Sequence, residues 1–211
     1  MKRTVPLLLL LALLLAACAP ATTAGDEPVS RACVSDSRPT VAVVSFGNTT
    51  GSRGGTHVTG MEDAATARLI TLMKNSGCYD IVEQSALQGI MMEQGLESMA
   101  PEDLARAAGA GYVVTGTVTR ATIAEPGATV FGVSVGATTA QVEVDVRATD
   151  MITGSVVVSM TGEGEASNPN LTLRRTPAGT ISYRDPTVGP LLAQASDGAV
   201  NDVMRAIQTA F

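Results

Sequence analysis

The residue with the plainest chemistry is Cys18, which closes the run Leu15-Ala16-Ala17-Cys18. Small residues ahead of a cysteine fit a bacterial lipobox, in which the thiol is acylated and becomes the first residue after cleavage. Lys2 and Arg3 form the charged head of a signal, and Val5 to Ala17 is an uncharged apolar stretch shorter than the ~20 residues of a spanning helix. Residues 1–17 are therefore predicted to be removed, and Cys18 to carry a covalent lipid; no other cofactor is expected. The alternative is an ordinary secretory signal cleaved nearby, with Cys18 incidental. On either reading the chain is exported. Ala19 and Pro20 follow the cysteine, with no Asp there as an inner-membrane retention mark, so the expected location is the outer membrane with the body facing the periplasm.

Other reactive side chains are sparse. Cys33 and Cys78 remain after cleavage, in a compartment where disulfides persist. Either they pair or they stay two thiols with Cys78 half buried, because the spacing does not fix their distance. His57 is the single histidine, too few nitrogen ligands for a zinc site, and it has no identifiable Ser, Cys or carboxylate partner; it is expected to be solvated. The Gly- and Thr-rich loop Gly47 to Gly60 lacks the Lys-Ser/Thr ending of a phosphate-binding loop, with Arg53 its single cation. Glu163 and Glu165 alternate along one strand and read as a wetted face, or a lumen wall, rather than a catalytic pair. Met91 and Met92 read as core filler. No catalytic or metal-binding set is predicted, and the chain is not expected to be an enzyme.

The full chain has 14 basic and 20 acidic residues; without Lys2 and Arg3 the balance is 12 against 20, a charge of −8. That argues against nucleic acid as a partner, since phosphate contacts need clustered Lys and Arg. Residues 18–39, with Pro20, Thr22, Gly25, Pro28, Ser30 and Pro39, read as a flexible tether, and residues 40–211 as one domain.

Within that domain strand and helix signals alternate, predicting an α/β fold: a mixed sheet flanked by helices, with extended β-hairpins able to join an oligomeric transmembrane β-barrel. Val41 to Phe46 is a nearly continuous apolar strand. A helix over Met61 to Ser76, with Ala65, Leu69, Leu72 and Met73 on one face, stops at Gly77. Tyr79 to Glu83 is a second strand. Ser85 and Gln88 open a second helix, Pro101 a third, and Leu191 to Ala210 forms the last.

From Tyr112 the strands lengthen. Tyr112 to Ala124 runs to a predicted turn at Glu125-Pro126-Gly127, which is followed by a stretch predicted extended from Ala128 to Asp150. Its later half alternates strictly, with Ala140, Val142, Val144, Val146 and Ala148 against Gln141, Glu143, Asp145, Arg147 and Thr149. Its earlier half, Ala128 to Thr139, carries no charge: Phe131, Val133, Val135 and Ala137 alternate with Gly132, Ser134, Gly136 and Thr138. One apolar and one small, polar face over ~9 to 11 residues is what a transmembrane barrel strand requires. The apolar set is the candidate lipid face and the small set the candidate lumen face. The hairpin is placed around 120–140, with a weaker second one around 163–185. A chain this size cannot close such a barrel alone, so several copies would contribute.

These residues together resemble the CsgG and holdfast-anchor family of outer-membrane lipoproteins. The resemblance is carried by the lipobox, Val41 to Phe46, Ala67-Arg68-Leu69 through Glu83-Gln84, Ala108 to Gly116, and Val144-Asp145-Val146-Arg147 with Asp150 and Thr153-Gly154. It implies a periplasmic α/β domain arranged as a homo-oligomeric ring, whose hairpins build one shared channel. It also implies export or anchoring of adhesive, amyloid-type fibre subunits that pass through unfolded, with periplasmic accessory factors as partners. The loop Gly47 to Gly60 departs from the family's constriction loop in having no aromatic, so no constriction residue is transferred. The chain has no Trp, three Phe and three Tyr, a thin supply for the aromatic girdles of a barrel. The alternative that this leaves is a periplasmic lipoprotein without a pore, such as a regulator docking on a cell-envelope enzyme.

Overall fold

The computed structural model describes residues 33, 37–52, 56–82, 84–93, 100–124, 128–130, 133–135, 137–171 and 179–210. Cys18, Phe131, Gly132 and Gly136 lie outside the described residues, as do most of the tether and 172–178.

The first strand, β1 (Thr40–Val43), is shorter than the apolar run suggests. Its apolar side chains serve two layers: Val41 and Val43 enter the main core, Ala42 a smaller one on the opposite face. The chain then turns so that Phe46 is buried and its N–H donates to Thr66 Oγ1 at 3.0 Å. Room for the Phe46 ring comes from Gly116, where a Cβ would sit 2.8 Å from ring carbons.

Two short strands follow, β2 (Gly47–Asn48) and β3 (His57–Thr59), and then helix α1 (Met61–Ser76). Met61, Ala65, Leu69 and Met73 recur at helical spacing and are buried; Gly77 ends the helix at φ 69°, a left-handed conformation that glycine adopts without strain. Strand β4 (Asp80–Val82) and helices α2 (Gln84–Glu93) and α3 (Pro101–Ala107) come next. Met91 packs against the smaller core, whereas Met92 is 81 % exposed and fills no core.

Three long strands complete the sheet: β5 (Tyr112–Ala124), β8 (Thr138–Asp150) and β9 (Val156–Asn168). Between β5 and β8 lie β6 (Ala128–Val130) and β7 (Val133–Val135), an antiparallel pair. The sheet order is β4-β1-β5-β8-β9, with β2 beside β5. β4, β1 and β5 are parallel; β8 is antiparallel to both of its neighbours. The architecture is thus the mixed sheet flanked by helices that the sequence predicts, and the sheet does not close into a barrel.

Strand β10 (Thr180–Ser182) pairs in parallel with β3, and the terminal helix α4 (Gly189–Ala210) crosses the lower face of β8 and β9. Leu192, Ala195, Ala199, Val203 and Ile207 are buried there. Close approach rests on two glycines of β9: a Cβ at Gly164 would lie 1.8 Å from the Ala195 carbonyl, and one at Gly162 2.2 Å from that of Ala199. Arg68 of α1 and Asp197 of α4 form an ion pair at 3.2 Å between the two helices on this face. Cys33 is joined to Cys78 in a disulfide. By loop closure over a sequence separation of 45, it stabilises the fold by about 4 kcal/mol. Tyr79, next to it, is buried, which pushes its phenol up to about 12.

Candidate functional site

The element that sets this domain apart is the hairpin made by β5 and β8. From Tyr112↔Asp150 to Val118↔Val144 the ladder is regular, then a bulge shifts it by one residue and pairing resumes at Arg120↔Glu143. It continues to Ala124↔Thr139. Three residues on each arm then separate this ladder from Ala128↔Val135, Thr129↔Ser134 and Val130↔Val133. The intervals match, so the β6–β7 pairs keep the register of the β5–β8 pairs, in a two-stranded sheet of their own. The expectation of a single extended segment from Ala128 to Asp150 is corrected: the chain reverses between Val130 and Val133, while the turn expected at 125–127 lies outside the described residues.

Position along this ladder decides polarity. Within β8 the even-numbered Ala140, Val142, Val144, Val146 and Ala148 are buried, under α4 and the rest of the main core, and the odd-numbered Gln141, Asp145 and Arg147 are exposed. Counted on along the sequence, the even positions are Gly136, Ser134 and Gly132, and the odd ones Ala137, Val135 and Val133. The set that is apolar in the sheet becomes small and polar toward the tip. The set that is polar in the sheet becomes apolar. Thr138 stands at the crossover. It is fully buried, and its hydroxyl donates to the Leu171 carbonyl at 2.5 Å, so in a single chain it faces protein rather than a lumen. Ala137 is half-buried beside it.

At the flank of the hairpin, the segment 47–60 is bound to it and locked internally. Thr49 N–H donates to the Val118 carbonyl at 3.0 Å. Asn48 Nδ2 donates to the Val58 carbonyl at 2.7 Å and to Glu62 Oε2 at 2.6 Å, while its Oδ1 accepts from the Thr50 hydroxyl at 2.6 Å. Thr50 is 3 % exposed. His57 is not solvated as its sequence context suggests: Nδ1 lies 2.7 Å from the Thr50 carbonyl and donates to it, and the ring is half-buried in β3. Local sequence hides this, because β3 is held by β10, through Thr180↔His57 to Ser182↔Thr59. The segment that leaves β1 and the segment that leaves β9 are thereby stitched together. Tyr183, just beyond β10, is pushed up by burial and, to a lesser degree, by the Asp197 carboxylate.

At the opposite end, the β8–β9 turn is fixed by Asp150, whose carboxylate accepts from the Ile152 and Thr153 N–H groups at 2.7 and 2.9 Å. Those hydrogen bonds hold its carboxyl below the usual range. Ile152 projects from this turn 90 % exposed.

Glu163 and Glu165 lie on the exposed face of β9. Among the described residues, no three His, Cys, Asp or Glu side chains come together as a metal site, and no helix is long and apolar enough to cross a membrane. The second statement does not bear on strands.

A family model described as the curli production assembly/transport component CsgG matches residues 28–208. No curated protein matches the sequence. Among solved structures, the hypothetical protein CT253 from Chlamydia trachomatis is similar over 82 % of this chain and 98 % of its own, at 10 % identity and a TM-score of 0.53. That likeness shows the shared fold alone. Lipoprotein GNA1162 from Neisseria meningitidis is 14 % identical, over 64 % of this chain and 87 % of that one, with a TM-score of 0.46. A PelC dodecamer from Paraburkholderia phytofirmans is 21 % identical, over 81 % and 88 %, with a TM-score of 0.41. The last two superpose too loosely to bear on function. The family match spans nearly the whole described fold, and the chain belongs to the CsgG family.

Proposed function

From that membership we propose that this protein is a lipid-anchored outer-membrane subunit of a homo-oligomeric channel that exports or anchors extracellular fibre subunits. The tip of the β5–β8 hairpin is its membrane-inserting part. The observation that supports this reading is the common register of two sets of pairs, Arg120↔Glu143 to Ala124↔Thr139 and Ala128↔Val135 to Val130↔Val133. Beyond Thr138 the second arm carries no charge and the apolar alternate set changes parity in the sequence, the pattern a strand needs where it meets lipid.

The chain's own residues divide the work. Cys18 carries the lipid. Val133, Val135 and Ala137, with Phe131 at the turn, face lipid, and Gly132, Ser134 and Gly136 line the lumen, where small polar groups offer an unfolded polypeptide few places to stick. The body below holds the hairpin in register, with α4 beneath it and the 47–60 lock at its flank. Transport is passive, so no acid, base or nucleophile is needed. A family of transport and assembly components accords with a role other than catalysis.

The test is electrical. Full-length protein extracted from outer membranes in mild detergent is expected to run as a large assembly and to give steady conductance in planar bilayers. Removing 128–135 shortens both arms equally and leaves the lower pairing intact, so conductance should vanish while the protein stays folded. Persistent conductance would sink the assignment of the tip. A single chain with no conductance would instead favour a tethered interaction module.

A further inference from the structure

One residue of the β5–β8 hairpin has no cross-strand partner. Val118 pairs with Val144 and the next pair is Arg120↔Glu143, so Thr119 is an extra residue on β5. Burial shows its effect on the two faces. Before it the even-numbered Val114 and Val118 of β5 are buried in the main core; after it the odd-numbered Ala121 and Ile123 take over. β8 keeps one parity throughout, from Ala140 to Ala148. Without Thr119, Val118 would still meet Val144, Arg120 would still meet Glu143, and Ala121 and Ile123 would still point inward. The hydrophobic pattern does not need the extra residue.

What such a bulge adds is shape: the strand that carries it bends, and its right-handed twist increases locally. Here the bend has a fixed base. The Phe46 ring lies so close over Gly116 that a Cβ there would be 2.8 Å from its carbons. β2 pairs with Thr117 and Val118, and Thr49 N–H donates to the Val118 carbonyl at 3.0 Å. Among the described residues those supports end at Val118, and the bulge follows at once. Thr119 is itself held, since its hydroxyl donates to the Glu143 carbonyl across the ladder at 3.4 Å. The sheet's other register shift, between Ala148 and Thr149, lies beside the β8–β9 turn. Thr119 instead stands in mid-strand, between the clamped part of β5 and the part that runs on toward the tip.

We infer that Thr119 is a positioning residue: the bulge it makes is an elbow that sets the direction in which the hairpin leaves the body and so brings the tip into the bilayer. It acts through the strand that follows it, not by contact with lipid or cargo. The pairs from Arg120↔Glu143 to Val130↔Val133 share one register, so no further net shift separates the elbow from the tip. A β5 one residue shorter would bury the same side chains and keep the same pairs, yet leave the body along a different line. This rests on the membrane-inserting reading of the tip and adds what aims it.

Deletion of Thr119 tests it on the full-length lipoprotein, with Val133→Cys as the reporter of insertion. Cys33 and Cys78 are joined, and protein without Val133→Cys is the blank. In isolated outer membranes Val133→Cys should resist a water-soluble maleimide, and with Thr119 deleted the same cysteine should react. The deletion protein, extracted in mild detergent, should melt at or above the temperature of wild type. Thr119→Val keeps the extra residue without its hydroxyl and should leave Val133→Cys resistant. A cysteine that stays resistant after the deletion overturns the elbow while insertion of the tip stands. A deletion protein that melts below wild type also overturns it, by placing Thr119 in the stability of the body, and so does a reactive cysteine beside Thr119→Val, by placing the effect in the hydroxyl. A cysteine that reacts with Thr119 in place overturns the insertion and the elbow together.

Discussion

The lower and upper parts of the β5–β8 hairpin share one ladder and obey opposite rules. Below Thr138 the apolar alternate positions of β8 are covered by the chain's own helix and core, and the other set carries Gln141, Glu143, Asp145 and Arg147. Beyond it β6 and β7 pair in the same register, yet charge disappears and the apolar set changes parity in the sequence. Backbone pairing is indifferent to solvent, so a hairpin can pass from one environment to another with its hydrogen bonds intact. What must change at the boundary is the pattern of side chains. A single alternation thus records two surroundings.

The sharpest way to break the contrast is to charge the upper half. Val133→Arg with Val135→Arg should abolish recovery in the outer-membrane fraction, since each Arg near the bilayer midplane costs about 2–4 kcal/mol. Thermal melting of the detergent-extracted protein should not move. A fall in melting temperature would show that the upper half belongs to the folded body after all.

Gly164→Ala attacks the lower half. With its Cβ 1.8 Å from the Ala195 carbonyl, α4 must lift off β9, at a cost of about 3 kcal/mol and a melting point lower by about 10 °C. Calorimetry decides: a change of less than a degree would mean that α4 does not hold the sheet as described.

Thr138→Val probes the crossover. It removes the hydroxyl that meets the Leu171 carbonyl and should cost about 1 kcal/mol in urea unfolding. If it leaves stability alone but alters conductance, Thr138 faces the lumen in the assembly.

The smallest effect concerns the end remote from the tip. Because Asp150 has a depressed folded value, its contribution is present above the ordinary carboxylate value of about 3.9 and is lost as pH falls through the lower folded one. Asp150→Asn should therefore be less stable than wild type at neutral pH, and the gap should be smaller at acid pH. A gap that is equal at both pH values would place the effect in something other than ionisation.

How far these two halves could be read in advance follows from where the information lies. Helix α1 was legible because Ala65, Leu69 and Met73 recur at its period and Gly77 stops it within the sequence itself. The mixed α/β layering was legible for the same reason, as was the strict alternation of β8. The reversal at 131–132 was not, since Phe131-Gly132 lacks the Asn-Gly or Asp-Gly signature of a tight hairpin, and the uncharged run looked continuous. Register was equally hidden: whether β6 and β7 stay in step with β5 and β8 is a relation between two segments. The 47–60 segment read as loose because Gly and Thr crowd it, and the partners that fix it, Val118, Glu62 and β10, stand outside it. Gly162 and Gly164 read as mere gaps in an alternating strand until α4 was seen against them.

The Cys33–Cys78 bond fixes where the chain's leash begins. Cys78 lies just ahead of β4, whose first pair, Thr40↔Asp80, sits at the same end of the sheet as Tyr112. Whatever precedes residue 33 therefore departs from the end farthest from the tip. From there to Ala124 is about 40 Å along β5, and the residues from 18 to 33 reach at most about 50 Å when fully drawn out. If Cys18 carries the lipid and the tip enters the same membrane, as proposed, the leash of residues 18–33 is just long enough to reach it. Reducing the disulfide would pay out the residues up to Pro39 and slacken it without touching a strand.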